Sequence, residues 1–203
     1  PDVKRAEIGN ALLTQMQRAT GKPCSSPSAN PALVALTRRM TLGEEPTYLA
    51  VMRAGVKEAI HIPGGVILLS RTMVEDYESP DVLAGYIIAE QVRRETRDPL
   101  RHLLESAGLV ATLRLLTTSR MPESAIEDHA KQLLTEKRAP LPTPALLARF
   151  ETLEIPSSTY GYAVDVTGEL TLPLIEGDPL AGATQEPVLP DSAWVRLQAI
   201  CEG

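Results

Sequence analysis

Hydrophobic residues recur at helical spacing in two segments near the start of the chain. In residues 2–20, Ile8, Leu12 and Met16 lie four residues apart with charged side chains between them. Residues 31–42 repeat this pattern over a shorter length. Residues three to four apart share one face of a helix, so each segment predicts an amphipathic helix with one face on a core.

The pattern changes between residues 47 and 70. The runs 48–52 and 66–69 are rich in β-branched and aliphatic residues, and Pro63-Gly64-Gly65 is a strong turn signal between them. Such runs bounded by proline and glycine are typical of strands. We predict three short strands that form a small sheet.

Helical patterns return at Ser79, which is an N-cap residue followed by a proline at the first helical position. This signal predicts a helix over residues 80–97, and Asp98-Pro99 interrupts it. Further helices are expected over about 99–116, 122–136 and 144–153. A last short helix, capped by Asp191, is expected near the C-terminus.

The region between the helix at 144–153 and the last helix has the composition of a loop. Eight of the 17 prolines fall between Pro140 and Pro190. We therefore predict an irregular C-terminal segment over about 154–190 that wraps a single domain of residues 1–203. The predicted fold class is α+β, a small twisted sheet packed against helices.

Composition excludes several classes of protein. The 26 acidic residues outnumber the 20 basic ones and the net charge is −6, which argues against a nucleic-acid surface. The longest apolar run, Ile62 to Leu69, is too short to cross a bilayer, which takes about 20 residues. We expect no transmembrane segment.

The two cysteines, Cys24 and Cys201, lie near opposite ends of the chain. They are too few for a disulfide-rich scaffold or a four-cysteine zinc site. Two interpretations stay open: one bridge between the terminal regions in an oxidising compartment, or two unpaired buried thiols in a reducing one. The chain opens at Pro1, which fits either a removed signal peptide or a shortened chain. We expect a periplasmic or secreted protein, with the cytoplasm as the alternative.

Residues 79–100 carry the most informative motif. The helix start Ser79-Pro80-Asp81-Val82-Leu83-Ala84-Gly85 follows the strand turn Ile62-Pro63-Gly64-Gly65-Val66. In this order the chain resembles soluble bacterial members of the zinc metallopeptidase family that contains the heat-shock protease HtpX and the CAAX prenyl protease. Ser119, Arg120 and Glu123 match a later signature of that family. The resemblance implies a zincin-like fold with an HExxH helix.

The chain departs from the family at the metal site itself. Two histidines at i and i+4 of an HExxH helix bind one zinc ion, and the glutamate between them acts as general base. Ala89, Glu90 and Arg93 stand at these three positions. Alanine has no donor atom, and arginine is a permanent cation that does not ligate metals. Only the glutamate remains, as a remnant general base, and we expect zinc to be lost with no cofactor in its place.

The resemblance also assigns roles to two later residues. It makes Glu123 the remnant third metal ligand and places Glu127 in the shell around the site. We predict that the Arg93 guanidinium replaces the positive charge of zinc and pairs with Glu123, Glu90 or both. The alternative is that Arg93 and Arg94 are solvated charges with partners only on their own helix.

The three histidines of the chain, His61, His102 and His129, have no metal-ligand spacing. We expect ordinary polar or half-buried roles for them. Two functions remain open: an inactive peptidase homologue that binds peptides or proteins along the edge strand of its sheet, and an active enzyme, either a metallopeptidase with non-standard ligands or another hydrolase.

Overall fold

The computed structural model describes residues 2–43, 46–184 and 186–203. Its elements, in chain order, are α1 (Asp2–Thr20), α2 (Asn30–Met40), β1 (Tyr48–Met52), β2 (Ala59–Ile62), β3 (Val66–Ser70), α3 (Arg71–Glu75), α4 (Pro80–Thr96), α5 (Pro99–Thr118), α6 (Glu123–Thr135), α7 (Thr143–Thr152), α8 (Ser157–Val164), α9 (Leu172–Glu176) and α10 (Asp191–Gln198). The predicted α+β class is confirmed. In these residues no helix is long and apolar enough to cross a membrane.

The sheet has the strand order β1-β3-β2. β1 runs parallel to β3, whereas β2 is antiparallel to it, with His61 opposite Ile67. The turn between β2 and β3 is tight because Gly64 and Gly65 both adopt positive φ, 85° and 79°. A side chain at Gly65 would meet the Pro46 carbonyl oxygen at 2.1 Å, so this turn requires glycine.

Helices cover both faces of the sheet. Side chains alternate between the two faces along a strand, so Ile67 and Leu69 of β3 belong to one buried cluster and Leu68 to the other. The first cluster contains α2, α4, α7 and α10, and the second contains α1, α6 and the start of α5. His61 has the same parity as Ala59 and therefore faces α4.

The central helix α4 is buried at every position from Val82 to Val92. It begins as predicted: the Ser79 hydroxyl accepts a hydrogen bond from the Asp81 amide at 3.2 Å. The helix following it, α5, is broken at Gly108, whose φ of 81° and ψ of 177° lie outside the helical region. The helix predicted over about 99–116 is present as α5, with this break inside it.

The C-terminal segment is more regular than predicted. Residues 154–190 include α8 and α9, and both helices join the main core rather than only wrapping it. The prediction missed α8 because its cap is remote in sequence: the Asp178 carboxylate accepts the Ser158 amide at 3.0 Å. Asp191 was also misplaced, since it is the first residue of α10 and Pro190 occupies the cap.

A disulfide joins Cys24 to Cys201, with 4.8 Å between their Cα atoms. Arg53 reinforces the same region, because its guanidinium donates to the carbonyl oxygens of Cys201 and Gly203 at 2.8 and 2.7 Å. The bridge ties the segment after α1 to the end of α10. Of the two interpretations of the cysteines, the structure has the bridged one.

Candidate functional site

Glu90 is the centre of a buried polar cluster. It lies on α4, and only 3% of its surface is exposed. Its Oε2 accepts two hydrogen bonds from His61, one from ring Nδ1 at 2.6 Å and one from the backbone amide at 3.1 Å. Oε1 accepts from Arg93 Nε at 3.1 Å. Both carboxylate oxygens are therefore engaged by donors.

The fold brings these partners together through two short-range rules. Arg93 follows Glu90 by three residues, so the two side chains are neighbours on α4. His61 lies in β2 on the face that packs against α4. Because the carboxylate only accepts hydrogen bonds when ionised, the proton of the short contact lies on His61 Nδ1.

The pKa of Glu90 is set by opposing effects. Burial raises it, but the hydrogen bond and charge of His61, with the charges of Arg138 and Arg93, outweigh burial. The pKa of Glu90 therefore lies below its ordinary value, and the group is a carboxylate at neutral pH. A general base needs a pKa near the working pH. The lowered pKa makes Glu90 a poor general base, and donors already occupy both of its oxygens.

Arg93 also joins α4 to another part of the chain. Its Nη1 nitrogen donates to the carbonyl oxygen of Ala139 at 2.6 Å, and its side chain is 16% exposed. Arg93 is thus held by one charged and one neutral acceptor. The alternative of a solvated charge is wrong for this residue, although its ionic partner is on its own helix.

Glu123 does not lie in this cluster. It begins α6, its side chain is 74% exposed, and it accepts hydrogen bonds from Gln15 and Arg18 of α1. Among the ion pairs of the described residues none joins it to Arg93. The predicted Arg93–Glu123 pair is therefore wrong. The reason is the direction of α6, which turns its far end, about 20 Å from Glu123, toward the cluster.

The other predicted positions are also separated from Glu90. Glu127 lies one turn after Glu123 and pairs with Lys131 at 2.8 Å, with nearly half of its side chain exposed. Ala89 is 3% exposed and packs in the main core. Of the residues assigned by the family resemblance, the structure joins only Glu90 and Arg93.

These residues do not fit a zinc ion. Ala89 and Arg93 offer no ligand atom, and both oxygens of Glu90 are engaged. No group of three or more histidine, cysteine or acidic side chains in the described residues has a metal-binding arrangement. The donor set thus disagrees with the metal that the family resemblance implies.

The histidines are the feature that sequence reasoning missed. His61, His102 and His129 line one cavity of about 210 Å³ together with Arg93 and Glu136. The rings of His102 and His129 meet edge to face with centroids 4.9 Å apart. We expected ordinary polar or half-buried roles: His61 and His129 have polar contacts, but all three histidines are buried rather than half-buried.

Neither ring of this pair favours a charge. Burial and the nearby His102 lower the pKa of His129 to about 4. Burial and the Arg97 charge lower the pKa of His102, against an opposing effect of Glu136. The Ser106 hydroxyl is 2.9 Å from His129 Nδ1. One signal was available in the sequence: His129 continues the apolar stripe of Ile126 and Leu133 on α6.

A larger cavity of about 610 Å³ lies beside the free edge of β2. Residues 57–60 form one wall and residues 133–141, from the end of α6 into the following segment, form the other. Tyr86 and Tyr160 lie in the cavity lining, and their rings meet edge to face at 5.1 Å. Burial raises the pKa of Tyr160 to about 12, so its hydroxyl stays protonated.

The backbone of β2 determines what this edge offers. The Glu58 carbonyl accepts from Ser70, and even-numbered positions therefore face β3. Ala59 and His61 consequently turn their backbone groups to the cavity side. The His61 amide is already bonded to Glu90, so the strand edge available for another chain ends before His61.

Comparisons of this chain with family models and with curated proteins found no match.

Proposed function

We propose that this protein is an inactive zinc metallopeptidase homologue that binds an extended peptide or a segment of a protein without cleaving it. The observation that carries the proposal is the cluster at Glu90. The carboxylate at the position of the general base is held by His61 and Arg93 and faces no water-activating donor set. Under this proposal the fold is zincin-like and the chemistry has been replaced by a structural ion pair.

The free edge of β2 supports the binding part of the proposal. An extended chain can add to such an edge through backbone hydrogen bonds, with its side chains in adjoining pockets. Ala59 is oriented to offer these groups, and the cavity beside it, about 610 Å³, is in the range of known ligand sites. We propose that the bound segment lies between β2 and residues 133–141.

The experiment uses unfolded casein as both the binding probe and the substrate. Protein purified with zinc in the buffer should hold no stoichiometric zinc, should bind casein, and should leave it uncut with or without chelator. Ala59→Pro removes the outward amide of β2 and should weaken casein binding. The control is Val34→Ala, at an exposed position of α2 where a proline would break the helix. This variant should bind casein as the wild type does.

Two results would contradict the proposal. Stoichiometric zinc with chelator-sensitive proteolysis would establish the alternative, an active metallopeptidase with non-standard ligands. Casein binding that Ala59→Pro leaves unchanged, in a variant with the wild-type circular dichroism spectrum, would remove the β2 edge from the site.

We also propose a periplasmic or secreted location, supported by the bridge between Cys24 and Cys201. Disulfides persist in oxidising compartments and are rare in the cytosol. Protein taken from its native host and denatured without reductant should react with no maleimide. Modification of both thiols would place the protein in a reducing compartment.

A further inference from the structure

The cavity beside β2 carries an excess of positive charge. Four cationic residues line it, namely Lys57, Arg93, Lys137 and Arg138, against the two acidic residues Glu58 and Glu136. The chain as a whole has a net charge of −6. The cavity is thus a locally positive region of an acidic protein.

The acidic residues of the lining do not neutralise these cations equally. Glu136 already faces Arg97 at 3.6 Å and His102 at 3.7 Å. Arg93 is committed to Glu90. In contrast, none of the ion pairs within the described residues involves Lys57, Lys137 or Arg138.

The three cations outside the ion pairs of the described residues lie on both walls of the cavity, and one of them, Arg138, also acts by its charge on Glu90. Lys57 precedes β2, two residues before Ala59. Lys137 and Arg138 lie in the opposite wall, just after α6. A chain added to β2 would therefore have positive charge on each side. Charges of one sign that line a cleft raise its local potential and select ligands of the opposite sign.

We infer that the ligand of this cavity is an acidic extended peptide, whose Asp and Glu side chains pair with Lys57, Lys137 and Arg138 while its backbone adds to β2. This inference rests on the proposed function, because it names the class of peptide bound at the same edge. The His61 amide already donates to Glu90, so the bound peptide can pair with β2 only before His61. Its acidic residues therefore lie beside that earlier part of the strand.

Three fluorescein-labelled decapeptides of equal length test the inference by fluorescence polarisation: one alternates Glu with Thr, one Gln with Thr, and one Lys with Thr. At low salt the acidic peptide should bind about tenfold more tightly than the neutral one, and the basic peptide should bind most weakly. The difference should shrink as salt is raised, because salt screens exposed charges.

A pair of charge-matched variants locates the effect. The double variant Lys137→Glu/Arg138→Glu should reduce acidic-peptide affinity about tenfold and leave the neutral peptide unchanged. The control Arg114→Glu/Arg120→Glu alters the net charge equally at exposed positions of α5 and the turn after it, away from the cavity lining. It should bind the acidic peptide as the wild type does.

The outcomes separate the two proposals. Equal affinity for all three peptides would overturn the preference for acidic ligands and leave peptide binding at β2 standing. An equal loss in both double variants would also overturn it, because the effect would then come from net charge. If none of the peptides binds and casein does not bind either, the proposed function itself fails.

Discussion

Two groups of buried polar side chains lie close together in this protein, and one is charged whereas the other shifts toward the neutral form. Glu90 is a carboxylate paired with the Arg93 guanidinium in the interior, whereas His102 and His129 have pKa values lowered toward the neutral form. Burial disfavours the charged form in both places. The difference comes from the neighbours: Glu90 faces cationic or donating groups, while the two imidazoles face each other and Arg97.

The comparison shows how a buried carboxylate stays ionised. A carboxylate can stay ionised in a core if both of its oxygens have donors, as His61 and Arg93 provide here. His102 and His129 shift toward the neutral form and pack edge to face, because burial and the Arg97 charge outweigh the Glu136 carboxylate that lies 3.7 Å from His102. The same local dielectric therefore produces an ion pair at one point and an uncharged contact at the other.

The largest effect is expected from Glu90→Ala. It leaves His61 and Arg93 without their acceptor in the interior, and removing one partner of a buried pair typically costs about 3–5 kcal/mol of unfolding free energy. Urea denaturation at pH 7 measures this loss. Glu127→Ala, at an exposed pair on α6, is the control and should unfold at the wild-type urea concentration. Equal costs for the two variants would place Glu90 outside the structural core.

As the pH is lowered, the two groups should change the free energy of unfolding over different pH ranges. His129 titrates near 4 when folded and near 6.5 when unfolded, so the unfolded state binds more protons between these values. Stability should therefore fall as pH drops from about 6.5 to about 4, by up to about 3 kcal/mol. The Glu90 contribution persists over most of this window and is lost only as pH falls through its lowered folded pKa.

Replacing the imidazole tests this assignment. In His129→Gln the difference in unfolding free energy between pH 7 and pH 4.5 should be smaller than in the wild type, whereas Lys131→Gln should keep the wild-type difference. An NMR titration of the wild-type His129 ring gives the same information if the variant does not fold. A ring pKa at or above 6.5 would contradict the neutral contact.

A smaller effect is expected from Arg93→Lys. Lysine keeps the charge but cannot bond Glu90 and the Ala139 carbonyl with the planar geometry of a guanidinium. The loss of about one hydrogen bond should cost about 1–2 kcal/mol of unfolding free energy by urea denaturation. Arg101→Lys, in a pair whose arginine is 78% exposed, should have no measurable effect. If Arg93→Lys is equally silent, His61 alone holds the carboxylate.

Local patterns predicted most of the fold. The helix at α4, its Ser79 cap and the glycine turn before β3 follow from signals that lie within a few residues of one another. The helices α8 and α9 do not follow from local signals, because they are short and are stabilised by residues that are distant in the sequence. The Asp178 cap is 20 residues from Ser158, and Gly85 of α4 allows Tyr160 to approach so closely that a Cβ would lie 2.5 Å away.

The candidate site, like the fold, has features that the sequence shows and features that only the packing determines. The absence of histidine from positions 89 and 93 is visible in the sequence, as is the i, i+3 relation of Glu90 to Arg93. The partnership with His61 is not visible, because 29 residues separate the two and only strand packing brings them together. The predicted pairing of Arg93 with Glu123 was wrong, because a match of residue types does not specify the direction in which α6 runs.

The sequence by itself determined which groups are present: Glu90 in a helix that contains no histidine, two cysteines, and an acidic chain with short strands and several helices. Only the tertiary structure decided which groups meet. Periodicity and caps act over one or two turns of helix, whereas a buried charge is paired by whatever element packs across from it. The packing of the whole fold determines that partner, and here it pairs Glu90 with His61.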